Sequence, residues 1–122
     1  MHDSPTHFLN ADLEFHGRRK GTALAAALGK SCVVLQITET LVSVELLSQP
    51  RDLDAAIAGF CEVLESWPKA ARTAWFACDR RVLNIGIQGG ARPHAAEFSA
   101  SLGSITSLAS MKSDLTLTVY SP

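Results

Sequence analysis

No apolar run in the chain approaches the ~20 residues needed to cross a bilayer as a helix. The opening stretch, MHDSPTHFLNADLEF, lacks a basic segment followed by an apolar one, so no secretory signal is expected there. Neither sign of charge is in excess, because eleven Lys and Arg stand against twelve Asp and Glu for a net charge of −1. That balance gives no general attraction for nucleic acid or for an anionic membrane. Cysteine is scarce. Cys32, Cys61 and Cys78 are odd in number and unevenly spaced, with no CxxC pair and no zinc-finger spacing. They read as reduced thiols packed like small apolar groups, which points to the cytoplasm. There is no GxSxG elbow, no H-x-x-x-H and no carboxylate cluster along the sequence. No catalytic residue, metal or cofactor is therefore expected.

What is present is ordinary globular material. A chain of 122 residues with 47% hydrophobic and 19% charged content reads as one domain with a real core. Residues 1–10 read as a flexible leader, and residues 11–122 as the domain. Leu13 and Phe15 alternate with Asp12, Glu14 and His16, the period of a half-buried strand over Ala11 to His16. Alanines, with Leu24 and Leu28 on one face, predict a helix over Arg19 to Leu28, stopped by Gly29. From Ser31 to Pro50, β-branched residues alternate with polar ones in two runs, Val33-Leu35-Ile37 and Val42-Val44-Leu46, which read as a hairpin.

The clearest helix spans Asp52 to Trp67, capped by Asp52, with Leu53, Ile57, Phe60, Leu64 and Trp67 on one stripe. Pro68 should end it. Strands are then predicted at Ala74 to Cys78 and Val82 to Gln88, around the turn-like Asp79-Arg80-Arg81. After the loop Gly89-Gly90-Ala91-Arg92-Pro93, two readings stay open. Either a helix starts near Pro93, or His94 to Ala100 is extended and Ser101 caps a helix over 102–112, with Ile105, Leu108 and Met111 on its stripe. A last strand alternates Leu115, Leu117 and Val119 with threonines. This order implies an α+β fold: a single two-layer domain, mainly antiparallel sheet, with two or three helices packed on one face.

The most conspicuous local charge is Gly17-Arg18-Arg19-Lys20-Gly21, between a strand and a helix. A helix entrance offers free N–H groups to an anion. A Walker loop, however, needs four residues between its glycines and a lysine after the second, and this stretch has neither. A small-anion site, a docking patch and a solvated turn all remain open. Arg92 and His94 follow the second glycine loop, Gly89-Gly90. If the sheet brings the loops together, Arg18, Arg19, Lys20, Arg92 and His94 make one basic rim. These five residues are the candidate partner- or anion-binding residues.

The C-terminal stretch EFSASLGSITSLASMKSDLTLTVY, Glu97 to Tyr120, resembles the ending of a small bacterial family known as domain of unknown function four-two-seven-nine. In it a Leu-rich helix leads into an alternating strand closed by an aromatic. Leu102, Leu108, Asp114, Leu115, Leu117, Val119 and Tyr120 carry the likeness, and RDLDAAIAGFCEVLESW is similar in type. The chain departs from the family in having no Trp between Lys30 and Pro50. The resemblance implies no catalytic residues, and none is carried over.

The functional expectation is a cytoplasmic binding protein of the immunity type, which neutralises a cognate toxin by docking on it. Neither nucleic acid nor membrane is expected as a partner. A regulatory domain sensing a small anion is the first alternative, and an enzyme using Cys78 or His94 the second.

Overall fold

The computed structural model describes residues 5–17, 32–38, 41–46, 50–90 and 96–121. The helix expected over Arg19 to Leu28 and the turn at Glu39-Thr40 lie outside them. The described elements run β1 (His7–His16), β2 (Cys32–Ile37), β3 (Leu41–Leu46), α1 (Leu53–Ser66), α2 (Lys69–Ala77), β4 (Arg80–Gln88), α3 (Leu102–Ser110) and β5 (Asp114–Tyr120). The strands form one sheet in the order β2-β3-β1-β4-β5. Three ladders are antiparallel, and the fourth, β4 with β5, is parallel. A parallel neighbour requires a crossover, and the segment containing α3 supplies it.

Alternation sorts the sheet into two faces. Ala11, Leu13 and Phe15 of β1, Val42, Val44 and Leu46 of β3, and Leu83, Ile85 and Ile87 of β4 are buried in one core cluster. Leu53, Ala56, Ile57, Phe60 and Leu64 of α1, Ala71 and Trp75 of α2, and Leu108 of α3 belong to the same cluster. The described helices therefore cover one face of the sheet, as an α+β domain requires.

Local chemistry explains each helix. Asp52 caps α1, its Oδ1 accepting the Ala55 N–H at 2.7 Å. The predicted stripe from Leu53 to Trp67 is buried throughout. Of the two readings after Gly90, the second holds: Ser101 caps α3 by accepting the Ser104 N–H at 3.2 Å, and residues 96–100 are neither helix nor strand. Ile105 is exposed, however, and only Leu108 of the expected stripe reaches full burial. The helix ends in a tight reversal. Lys112 takes φ 54°, while Lys112 and Ser113 donate back to the Ala109 and Leu108 carbonyls at 3.0 and 3.1 Å. This is the left-handed helix stop usually given to glycine.

Three expectations are corrected. Strand β1 begins at His7 rather than Ala11, with His7, Phe8 and Asn10 paired to β4 around an irregularity at Leu9. Strand β4 starts at Arg80, taking in Arg80 and Arg81 of the three residues read as a turn. The stretch Ala74 to Cys78 is not a strand but the end of α2. Pro68 closes one helix and stands at the N-cap of the next, a position proline tolerates because it has no N–H to leave unpaired. In KAARTAWFA, Ala71 and Trp75 fall four residues apart on the buried side.

Helix α2 thus separates its two adjacent aromatics, with Trp75 fully buried and Phe76 43% exposed. Trp75→Ala is expected to lower the unfolding free energy by about 3–5 kcal/mol. Phe76→Ala is expected to lower it by about 1 kcal/mol or less. Urea titrations followed by far-UV circular dichroism measure both.

Candidate functional site

The five basic candidates, Arg18, Arg19, Lys20, Arg92 and His94, lie outside the described residues. The points where their loops leave the sheet are described. His16 pairs with Arg80 and His7 with Gln88, so Gly17 and Gly89 stand at opposite ends of the β1–β4 ladder. Nine paired residues separate those ends by about 30 Å.

Gly17 also has a packing reason to be glycine. A Cβ there would lie 3.3 Å from the Asp79 nitrogen and 3.4 Å from the Cys78 Cα. The chain crosses there because the Asp79 N–H donates to the His16 carbonyl at 2.7 Å. At the other end, the Gly90 N–H donates to Thr6 Oγ1 at 3.2 Å. An open cavity of about 420 Å³ lies beside it, lined by Thr6, His7, Phe8, Pro50 and Arg51.

The thiols lie in or against the core. Burial pushes Cys32 up to about 11, and burial followed by the Glu65 charge raises Cys61. Cys78 is buried, with Sγ 3.2 Å from the Ala74 carbonyl. The nearby guanidinium of Arg81 is directed at backbone instead: its Nη1 donates to the Cys78 carbonyl at 2.6 Å, and its Nε to the Lys112 carbonyl at 2.8 Å.

The fold does assemble a cluster that is not visible along the sequence. On the face of the sheet away from the described helices, Asp12 pairs across β1–β3 with Glu45, and Glu14 lies two residues further along β1. On the β4 side the residues opposite are Asn84 and Val82, which carry no charge. Like charges placed directly opposite on neighbouring strands repel. The Asp12 Oδ1 is shut off from solvent and accepts no hydrogen bond. Burial first, then the charges of Glu45 and Glu14, push Asp12 up to about 6.

On this face Arg80 is paired outside the cluster, its Nε donating to Asp114 Oδ2 at 3.0 Å, whereas the His16 ring meets the cluster itself, with Nε2 3.8 Å from Glu14 Oε1. Among the described residues, no group of three or more His, Cys, Asp or Glu is arranged to hold a metal ion. No helix among them is long and apolar enough to cross a membrane. Asp12 and Glu14 were recognisable in the sequence as the polar side of an alternating strand. Glu45 was recognisable in the same way on β3, but only the strand register brings the three together.

The Asp12 cluster has a signed consequence. Its folded-state pKa lies above its ordinary value of 3.8, so between the two the native protein holds more protons than the unfolded chain. This group therefore weakens the fold above about pH 6, and the penalty disappears as the pH falls toward 4. Asp12→Asn is expected to raise the unfolding free energy at about pH 7.5 by on the order of 1 kcal/mol once solvent screening is allowed for, and the thermal midpoint with it. The gain over wild type should vanish near pH 4, as calorimetry across that range would show.

No family model, curated protein or solved structure matches the chain, so its function is argued from its own residues.

Proposed function

We propose that this chain is a small binding protein that docks on a basic protein surface, of the immunity type that neutralises a cognate toxin. The observation that carries the reading is the pair Asp12 and Glu45, which no described cation compensates, with Glu14 beside it, on a sheet face that no described helix covers. A partner's Lys or Arg laid over this strip would replace like-charge repulsion by charge-assisted hydrogen bonds. It would also speed encounter through complementary fields. A strand-built platform suits this task because its side chains are held by the ladder before the partner arrives. The toxin as partner is an analogy, drawn from the small size of the chain, its α+β fold and the lack of a catalytic motif in its sequence.

The test is growth rescue by coexpression with a toxin encoded beside the gene, together with direct binding of the two purified proteins. Wild type should protect and bind. Glu14→Lys with Glu45→Lys should abolish both while keeping the native circular dichroism. A folded double variant that binds like wild type, or a gene set among metabolic enzymes with no toxin, sinks the reading.

One observation favours a second reading. Arg51 and His7 line the open cavity beside Gly90, which suits a small anion. Thermal-shift measurements with inorganic phosphate, nucleotides and carboxylates decide it. Stabilisation that Arg51→Ala removes supports an anion sensor, and an unchanged midpoint with all of them disposes of it.

A further inference from the structure

Strand β5 is an edge strand that lacks the usual guards. Its register with β4 runs without a break from Val82↔Asp114 to Gln88↔Tyr120, so no bulge twists it away. It contains no Lys, Pro or Gly. Natural edges are normally blunted by such devices, and the opposite edge, β2, does carry an irregularity between Val34 and Gln36. On β5 the large side chains are exposed: Leu115 36%, Leu117 39%, Val119 60% and Tyr120 51%. Leu102 and Ile105, on the helix that leads into this strand, are exposed as well.

The direction of the free backbone groups follows from one hydrogen bond. The Gly89 N–H donates to the Tyr120 carbonyl at 2.7 Å, so Tyr120 faces β4. By alternation Asp114, Thr116 and Thr118 also face β4, while the N–H and C=O groups of Leu115, Leu117 and Val119 point out of the sheet.

We propose that β5 pairs antiparallel with β5 of a second copy of this chain, with Leu117 on the two-fold axis, to give one continuous ten-stranded sheet. The sequence DLTLTVY is self-complementary in that register. Leu115 meets Val119 of the other copy, Leu117 meets Leu117, Thr116 meets Thr118, and Asp114 meets Tyr120. Apolar residues thus pair on the helix side and polar residues on the side away from the described helices. The three outward-facing pairs exchange two backbone bonds each, about six in all. Charge agrees with a copy as occupant. The only charged residue of the strand, Asp114, faces a tyrosine rather than itself and is already held by Arg80. Of the possible antiparallel registers, this one pairs all seven residues.

Sedimentation or light scattering of the purified chain over a dilution series tests the pairing. A mass twice 13.1 kDa is expected at high concentration. Leu117→Lys, which sets two like charges on the axis, should give the monomer, whereas Val33→Lys on the opposite edge should leave the dimer intact. Leu117→Cys provides a second measurement for the case in which the lysine variant does not fold. A hydrogen-bonded pair holds its Cα atoms about 5.5 Å apart, within reach of a disulfide. Mild oxidation should therefore link two Leu117→Cys chains and fail to link two Leu115→Cys chains, whose cysteines do not face each other. A monomer at every concentration overturns the proposal, as does a dimer indifferent to Leu117→Lys whose Leu117→Cys form does not cross-link. A β5 that serves another protein's strand would give the first of these results.

Discussion

The helical layer depends on the indole of Trp75. Its ring meets Phe15 of β1, Phe60 of α1 and Trp67 edge to face, at centroid distances of 4.9, 5.3 and 6.0 Å. Its Nε1–H donates to the Met111 carbonyl at 3.0 Å, in the turn just before β5. One side chain thereby joins the sheet, two helices and the return to the edge strand. Helix α2, which presents it, has nine residues and no side-chain cap at its N-terminus. A helix that short is marginal by itself, so packing around Trp75 and help at its C-terminus must hold it. The help comes from Arg81, which caps the Cys78 carbonyl and reaches the Lys112 carbonyl with the same guanidinium. Two contacts, Trp75 to Met111 and Arg81 to Lys112, thus fix where α3 ends and β5 begins.

A second tie works at the other end of α3. Asp54, in the first turn of α1, accepts the Ser101 N–H at 2.8 Å and the Ser104 hydroxyl at 2.6 Å. Those bonds, Ser104 first, lower its pKa. A carboxylate there also faces the positive end of both helix dipoles. Helix α3 is held at both ends by side chains whose sequence neighbours give no hint of that partnership, which explains how so short and Ser-rich a segment forms a helix.

Local periodicity made much of the fold legible. The hairpin of β2 and β3, helix α1 and strand β5 carry unambiguous periods of two or of three to four residues, and each appears close to where that pattern predicts it. Helix α2 escaped because Trp75-Phe76 beside Cys78 has strand-like composition, and a nine-residue helix offers barely two turns of stripe. The early start of β1 escaped because HFLN alternates weakly and earns its place through pairing with β4. The acidic strip escaped for a stricter reason. Asp12 and Glu45 are 33 positions apart (45 − 12), and nothing along the chain declares which strands will be neighbours or in what register. The basic loops were legible as charge, but that Gly17 and Gly89, where they leave the sheet, stand at opposite ends of the β1–β4 ladder was not.

The two surfaces of this sheet are linked by one geometric fact. Because the described helices cover one face, β1 and β5 carry their polar alternates on the other, where Val82 of β4 and Ser43 of β3 are nonetheless buried. The face that holds Asp12, Glu14 and Glu45 also holds Thr116 and Thr118. Pairing through β5 would continue that face from one copy into the next without a step. Strand β1 lies two places in from β5, so the two β1 strands of the paired sheet stand five spacings apart, about 24 Å. The axis would thus carry neutral threonines and tyrosines, with an acidic strip on either side. A partner presenting one basic patch would bind each copy independently. A partner that is itself two-fold symmetric, with basic patches at that spacing, would engage both strips at once. The second attachment would then be intramolecular and favoured accordingly. Self-association at the edge and charge on the face that no described helix covers therefore need not compete for the chain, and the first sets the spacing at which the second is displayed.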